Sequence, residues 1–380
     1  MGLYSSRWFE KFGPPFTEIG HHSFHRFMDW MATWEITNHG RLNTHFYDYI
    51  KFSPTGYSIS PGPYGILVFW LMWPFTFFKY GMVYSFLIAM SGYLYTLFQV
   101  FKEATKTLKN LDRYFIFIAL LVGTYALWYQ IDRASIDVVM ITLFNLIILN
   151  QIKWKNKFLT IILAAIIVSM KPSFGFFGLL VLLPSISSIQ LISLCFIVLI
   201  YLMPMLIWGL QYDYLIKLVD VAYPMISGMN FLCHNITCSI RVFYPMPNDG
   251  LDKLITISSF FISIIFLVYL KFFSKISDIN KMNIMIFFCV LVETMVYNPS
   301  PDYRLIMFIP LFILLFNNYS QQIMINRKIF ITLCISFCLI LGFINIPILG
   351  LPNYFTVLRT LGIVSFFFVS FYLIYKNLKH

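Results

Sequence analysis

From Pro63 to Tyr375 apolar runs follow one another almost without a break, whereas the first 62 residues mix polar, charged and aromatic side chains. The runs fall at 63–79, 81–101, 114–129, 137–150, 158–170, 174–184, 191–210, 254–270, 282–297, 304–317, 329–346 and 356–375, the run at 174–184 being short. A helix that crosses the hydrocarbon core needs about 20 mostly apolar residues, so the pattern predicts an all-α, polytopic helical membrane protein of about 11–12 segments. Residues 63–380 form the predicted transmembrane bundle. Two regions stand apart from it. Residues 1–62 read as a polar first segment with interfacial helices, closing in the Gly/Pro-rich run Ser58 to Tyr64. An outer loop, 211–253, carries Asp213, Asp220, His234, Asn235, Arg241 and Asp249.

Composition narrows the class. The chain is 59% hydrophobic and 11% charged, against roughly 25% charged residues in an average soluble domain. Its net charge of +11 does not indicate a nucleic-acid partner, because the cations lie in short clusters at 102–113, 153–157, 271–281, 327–328 and 376–379. Short Lys/Arg-rich loops face the cytoplasm. That rule puts 102–113, 151–157, 271–281, 318–328 and the C-terminus on the cytoplasmic side. The opposite side receives 130–136, the break at 170–173, 211–253, 298–304 and 345–355.

One count disagrees. If 1–62 lies outside, an odd number of crossings must separate it from 102–113, yet two apolar segments intervene. Either 63–79 is partly re-entrant or one charge cluster misleads. Acids and bases balance within 1–62, so charge does not assign its side. Residues 1–25 contain no apolar core of signal-peptide length.

The remaining markers add little. Of six cysteines, Cys195, Cys289, Cys334 and Cys338 sit in apolar runs and read as packing residues. Cys233 and Cys238 share a polar loop and could pair in an oxidising compartment. No Cys/His spacing points to zinc, and no cofactor is implied. Asn235-Ile236-Thr237 is a glycosylation tripeptide of a kind common by chance. The chain shows no internal repeat of the sort that builds transporters from related halves.

Candidate chemistry gathers at the predicted outer side. Asp29, in Phe27-Met28-Asp29-Trp30, is a carboxylate among aromatics that can act as general base towards a sugar hydroxyl. Its bland alternative is a capping or solvating acid on an interfacial helix anchored by Trp30 and Trp34. Asp48, in Phe46-Tyr47-Asp48-Tyr49, is the second acid of this segment. Asp132-Arg133-Ala134-Ser135-Ile136-Asp137 is a charged knot between apolar runs, read either as functional or as an Arg–Asp pair closing a helical hairpin. Lys171, before Pro172, is a cation on the side the charge bias disfavours; it is a phosphate ligand or a snorkelling residue. Tyr303 and Arg304 supply a further aromatic and cation. Glu293 lies within an apolar run, facing a cavity or held neutral by a neighbouring helix. Cations for phosphate, an acid for a hydroxyl and aromatics for a sugar face suit a lipid-phosphate donor.

These motifs, in order, resemble the GT-C class of integral-membrane glycosyltransferases, particularly bacterial members that use polyprenyl-phosphate sugars. Phe-Met-Asp-Trp resembles the first-loop acidic motif, and Tyr57 to Tyr64 a Tyr-x-x-Pro-Pro approach to the next helix. Residues 133–137 resemble Arg-Gly-Asn-x-Asp, with Ala134 and Ser135 departing from it. Met170-Lys171-Pro172-Ser173 resembles a Lys-x-x-Pro-like break, His234 to Thr237 an Asn-x-Ser loop, and Asp302 to Ile306 with Pro310 a Tyr-Arg-Leu…Pro helix start.

The resemblance implies a GT-C-like bundle with polar non-cytoplasmic loops in a bacterial inner membrane. It implies Asp29 as catalytic base and Arg133, Lys171 and Arg304 at the donor phosphate. Asp48, Asp137, His234, Asn235 and Tyr303 are the supporting or acceptor residues. The partners expected are a polyprenyl-phosphate sugar donor, a glycolipid or glycan acceptor, and membrane lipid. The family carries a helix ahead of the acidic loop, so the expectation is an upstream helix or a variant without one. The competing expectations are a polysaccharide polymerase or ligase, using loop 211–253, and a transporter or flippase for a lipid-linked oligosaccharide. The latter would need charges lining several mid-membrane helices.

Overall fold

The computed structural model describes residues 28–43, 51–52, 58–59, 64–106, 134–171, 187–212, 308–341 and 352–378, with isolated positions in 114–131, in 258–284 and at 306. Their secondary structure is helical apart from one short antiparallel ladder. In it β1 (Lys51–Phe52) pairs with β2 (Ser58–Ile59), Lys51 opposite Ile59 and Phe52 opposite Ser58. The architecture is all-α, as the apolar runs predict. Two described stretches, Gly81–Ala104 and Asp137–Trp154, are long and apolar enough to cross a membrane. The wider count of segments extends beyond the described residues.

The chain divides into two compact units, one of residues 28–108 and 134–225, the other of 1–27, 109–133 and 226–380. In the first unit, α1 (Met28–Asn43) comes from the polar first segment yet packs with the apolar helices that follow. Trp30, Thr33, Ile36, Thr37 and Gly40 are buried on it, a spacing of three to four residues that lays them on one face.

Next comes α2 (Ile66–Met72), which passes directly into a 3-10 turn, Trp73–Phe77. Pro74 sits at the start of that turn; it has no N–H to continue an α-helical ladder. A Cβ at Gly81 would lie 1.7 Å from the Phe75 carbonyl oxygen, so the chain can double back this tightly only at a glycine. Ile66–Phe77 therefore extends only about 20 Å, at about 1.5 Å per α-helical and about 2.0 Å per 3-10 residue, short of a hydrocarbon core of about 30 Å. That leaves α3 (Gly81–Ala104) as the one long helix between the first segment and the turn at 105–106. Ile66–Phe77 thus falls among the shorter apolar helices, below the length that crosses a membrane.

After α3, the helix α4 (Asp137–Leu149) continues through a wider turn, Asn150–Trp154, into α5 (Lys157–Met170). Helices α3 and α4 run parallel. A Cβ at Gly92 would meet the Thr142 methyl at 3.6 Å, Asn145 Nδ2 donates to Thr96 Oγ1 at 3.2 Å, and Lys153 reaches Glu103 at 3.2 Å. Helix α5 returns antiparallel because one side chain stitches the hairpin. Asn150 Nδ2 donates to the Asn156 carbonyl at 2.7 Å and to Thr160 Oγ1 at 2.5 Å, while its Oδ1 accepts from Asn156 N–H at 3.1 Å. Asn156 in turn caps α5, accepting from the N–H groups of Phe158 and Leu159 at 3.0 and 3.2 Å.

A capping box starts α6 (Ser188–Tyr212). Ser187 N–H donates to Gln190 Oε1 at 2.9 Å, and Gln190 N–H to Ser187 Oγ at 3.3 Å. Helix α6 packs on α5 and α2, with Trp70 and Tyr201 edge-to-face at 6.4 Å. Its other side exposes Ile189, Ile192, Phe196, Leu199, Met203 and Ile207, an apolar stripe at helical spacing.

In the second unit, α7 (Phe308–Ile325), α8 (Arg327–Leu341) and α9 (Pro352–Leu378) are the continuous helices. Phe312 and Phe337 stack at 4.4 Å, and α8 lies so close to α9 that a Cβ at Gly362 would come within 2.6 Å of Leu339 Cβ. Asn326 links α7 to α8 and accepts from Ile329 N–H at 3.4 Å. Cys195, Cys334 and Cys338 are free thiols on α6 and α8.

Candidate functional site

The first unit brings chemistry together at the end where α4 begins and α5 stops. Just before α4, Ala134 takes a left-handed backbone conformation, φ 47°. Asp137 N–H then donates to Ser135 Oγ at 3.3 Å, and Val138 N–H to the Ser135 carbonyl at 3.2 Å. This turn aims Asp137 from the first turn of α4, where the helix dipole favours an anion. Lys171 follows the last residue of α5, its N–H bonded to the Ile167 carbonyl at 3.0 Å, where the dipole favours a cation. The antiparallel hairpin makes these two ends meet.

There Lys171 Nζ donates to Asp137 Oδ1 at 2.6 Å, with the lysine side chain 4% and the aspartate 0% exposed. The Tyr64 ring lies against the lysine, its centroid 5.2 Å from Lys171 Nζ, a cation–π distance. Next to Tyr64 the chain is pressed onto α5. Gly65 N–H donates to the Met170 carbonyl at 2.7 Å, and a Cβ at Gly65 would lie 1.7 Å from the Ser169 carbonyl oxygen.

Helix α1 reaches this end too. Trp30 is 2% exposed; its Nε1 donates to Ser85 Oγ at 2.9 Å, and its ring meets Phe86 edge-to-face at 5.5 Å. Both partners lie near the start of α3. Since α3 and α4 run parallel, the backbone of Asp29 lies towards the end of the unit that holds Asp137 and Lys171.

Of the residues expected to carry chemistry, Asp137 and Lys171 are thus brought into contact. The side chain of Asp29 lies outside the described residues, as do Asp48, Arg133, His234, Asn235, Tyr303 and Arg304. Lys171 is buried, and its Nζ pairs with Asp137 inside the protein. An ammonium has three N–H donors, and the pairing engages one of them. Sequence reasoning passed over Tyr64 as a partner of the lysine and Gly65 as the point of close approach. Their signal was the Pro-Tyr-Gly run ahead of the first apolar stretch.

At the opposite end, the lysines at 102–106 and 153–157 come together. The Glu103 carboxylate, 7% exposed, holds Lys106 at 2.5 Å and Lys153 at 3.2 Å, whose side chains are 67% and 46% exposed.

No family model, curated protein or solved structure matches the chain. Its function is therefore argued from the residues and their geometry.

Proposed function

We propose that the chain is a multi-pass membrane glycosyltransferase of the GT-C kind. It moves a sugar from a polyprenyl-phosphate donor to a lipid-linked or polysaccharide acceptor on the non-cytoplasmic face. The observation that carries this reading is the meeting of Asp137, Lys171 and Tyr64 at the helix end towards which α1 brings Asp29. The lysine-rich turns lie at the other end, which supports reading the Asp137 end as the outer one.

Three further features favour it. The exposed apolar stripe of α6 is the side chain set of a lipid-facing helix. Ala134 holds a left-handed conformation at the position where the family motif has glycine, and Ser135 makes the turn-stabilising hydrogen bond that the motif's asparagine can make. Among the described residues, the buried charged side chains are Glu103, Asp137 and Lys171, and all three sit at helix ends. A transporter would line helix interiors with charge.

In this reading Asp29 takes the proton of the acceptor hydroxyl, and the Asp137–Lys171 pair fixes the adjoining helix ends. Arg133 and Arg304, with Lys171, remain the phosphate contacts that the resemblance implies.

The test is transfer by the full chain reconstituted in vesicles with radiolabelled polyprenyl-phosphate hexoses and an acceptor lipid extract. Asp29→Asn should lower the rate by about 10²-fold or more, the contribution of a positioned general base. A near-normal rate would remove Asp29 and turn attention to Asp48. No transfer from any such donor would sink the reading.

A further inference from the structure

At the lysine-rich end of the first unit, five lysines converge: Lys102 and Lys106 at the end of α3 and the turn that follows it, and Lys153, Lys155 and Lys157 around the α4–α5 turn. All five are exposed. Glu103 is the acid set among them, and it is buried beneath Lys106 and Lys153, which it holds on its two oxygens. One carboxylate thereby fixes two ammonium groups from separate helices while cancelling only one charge. Beside them Trp154 and Phe158 are 48% and 71% exposed. Exposed aromatic rings next to cations, at the end of long apolar helices, are the composition of a headgroup-level anchor.

We propose that this end of the unit is a binding site for the headgroup of an anionic phospholipid. The phosphate would be taken between Lys106 and Lys153, with Trp154 and Phe158 against the glycerol and upper acyl chains. Topology alone needs positive charge somewhere in these loops. It does not need a buried acid that ties two lysines from separate helices together, nor bulky apolar rings left exposed at the same level. Ammonium groups with several N–H donors suit a phosphodiester.

The inference rests on the membrane part of the preceding proposal and not on its chemistry. Full chain purified in detergent is mixed with equimolar phosphatidylglycerol and phosphatidylcholine, and bound lipid is read by native mass spectrometry. Wild type should retain phosphatidylglycerol preferentially. The K106Q/K153Q variant should lose that retention by on the order of tenfold, since each lysine near an anionic headgroup contributes modestly. K106R/K153R should keep it. A second measurement needs no lysine variant: brominated phosphatidylglycerol should quench the Trp154 fluorescence, taken as the difference from W154F, more than brominated phosphatidylcholine does.

Equal retention or equal quenching by the two lipids would overturn the site. So would an equal loss in K328Q/K376Q, which removes the same charge elsewhere, or full displacement by inorganic phosphate, which would make the ligand a free anion. A chain that does not enter vesicles at all would refute the membrane reading instead.

Discussion

The two ends of the first unit treat charge in opposite ways. At one, Asp137 and Lys171 pair with each other, both buried, with the Tyr64 ring against the lysine. At the other, Glu103 is shared between two exposed lysines in a surplus of positive charge. A matched buried pair has no solvent to fall back on, so its geometry is fixed and costly to disturb. A surplus of solvated cations is cheap to alter and is free to address something outside the protein, in our proposal an anionic lipid headgroup. The same residue types thus serve as an internal tie at one end and an external address at the other.

The sharpest way to break this comparison is Lys171→Met, which keeps the apolar stem and removes the buried ammonium that pairs with Asp137. It should destabilise the protein by about 3–5 kcal/mol, the usual result of removing one member of a buried pair. Asp137→Leu in the same chain should recover most of that loss. Thermal unfolding in detergent reads both; a Lys171→Met melting curve overlying wild type would mean the pair is not buried as described.

The left-handed residues sharpen it further. Ala134 (φ 47°) lies in the turn at the buried pair, and Lys155 (φ 54°) in the turn at the lysine-rich end. Such a conformation costs a side chain roughly 1–2 kcal/mol. Lys155→Gly should therefore stabilise by about 1 kcal/mol. Ala134→Gly should gain less, because Ala134 is fully buried and its methyl contributes about 0.8 kcal/mol. Denaturant midpoints would compare them, and a larger gain at Ala134 would contradict the burial difference.

The smallest effect is expected of Glu103→Gln, below about 1 kcal/mol, since water screens the two lysines it leaves. Unfolding followed at low and high salt would check it: a large, salt-insensitive loss would place Glu103 in the same class as Asp137.

How much of this was legible in the sequence follows from which signals are local. Helices α3 to α6 announce themselves as apolar runs, and two of them carry their own boundary chemistry, Asn156 ahead of α5 and Ser187 with Gln190 at α6. Segment 63–79 is apolar along most of its length, and hydropathy does not register that Pro74 and Gly81 fold it short. Lys171 was singled out for being a cation on the wrong side of the charge pattern, yet its partner lies 34 residues away in sequence. Pairing of that kind depends on the return angle of a hairpin, here set by Asn150, and no local pattern encodes it. Tyr64 was visible as part of a motif, but its place over Lys171 needed the close approach at Gly65.

That close approach also orders events in time. Gly65 docks on the last turn of α5, which is made about a hundred residues later. At a synthesis rate of about 5–20 residues per second, the polar segment waits roughly 5–20 s before its landing place exists. During that interval Tyr64 has no lysine to cover, and α1 can at most settle against α3. Closure of the candidate site is thus a late assembly step, dependent on α5 arriving, and any substitution at position 65 would act by leaving that step unfinished.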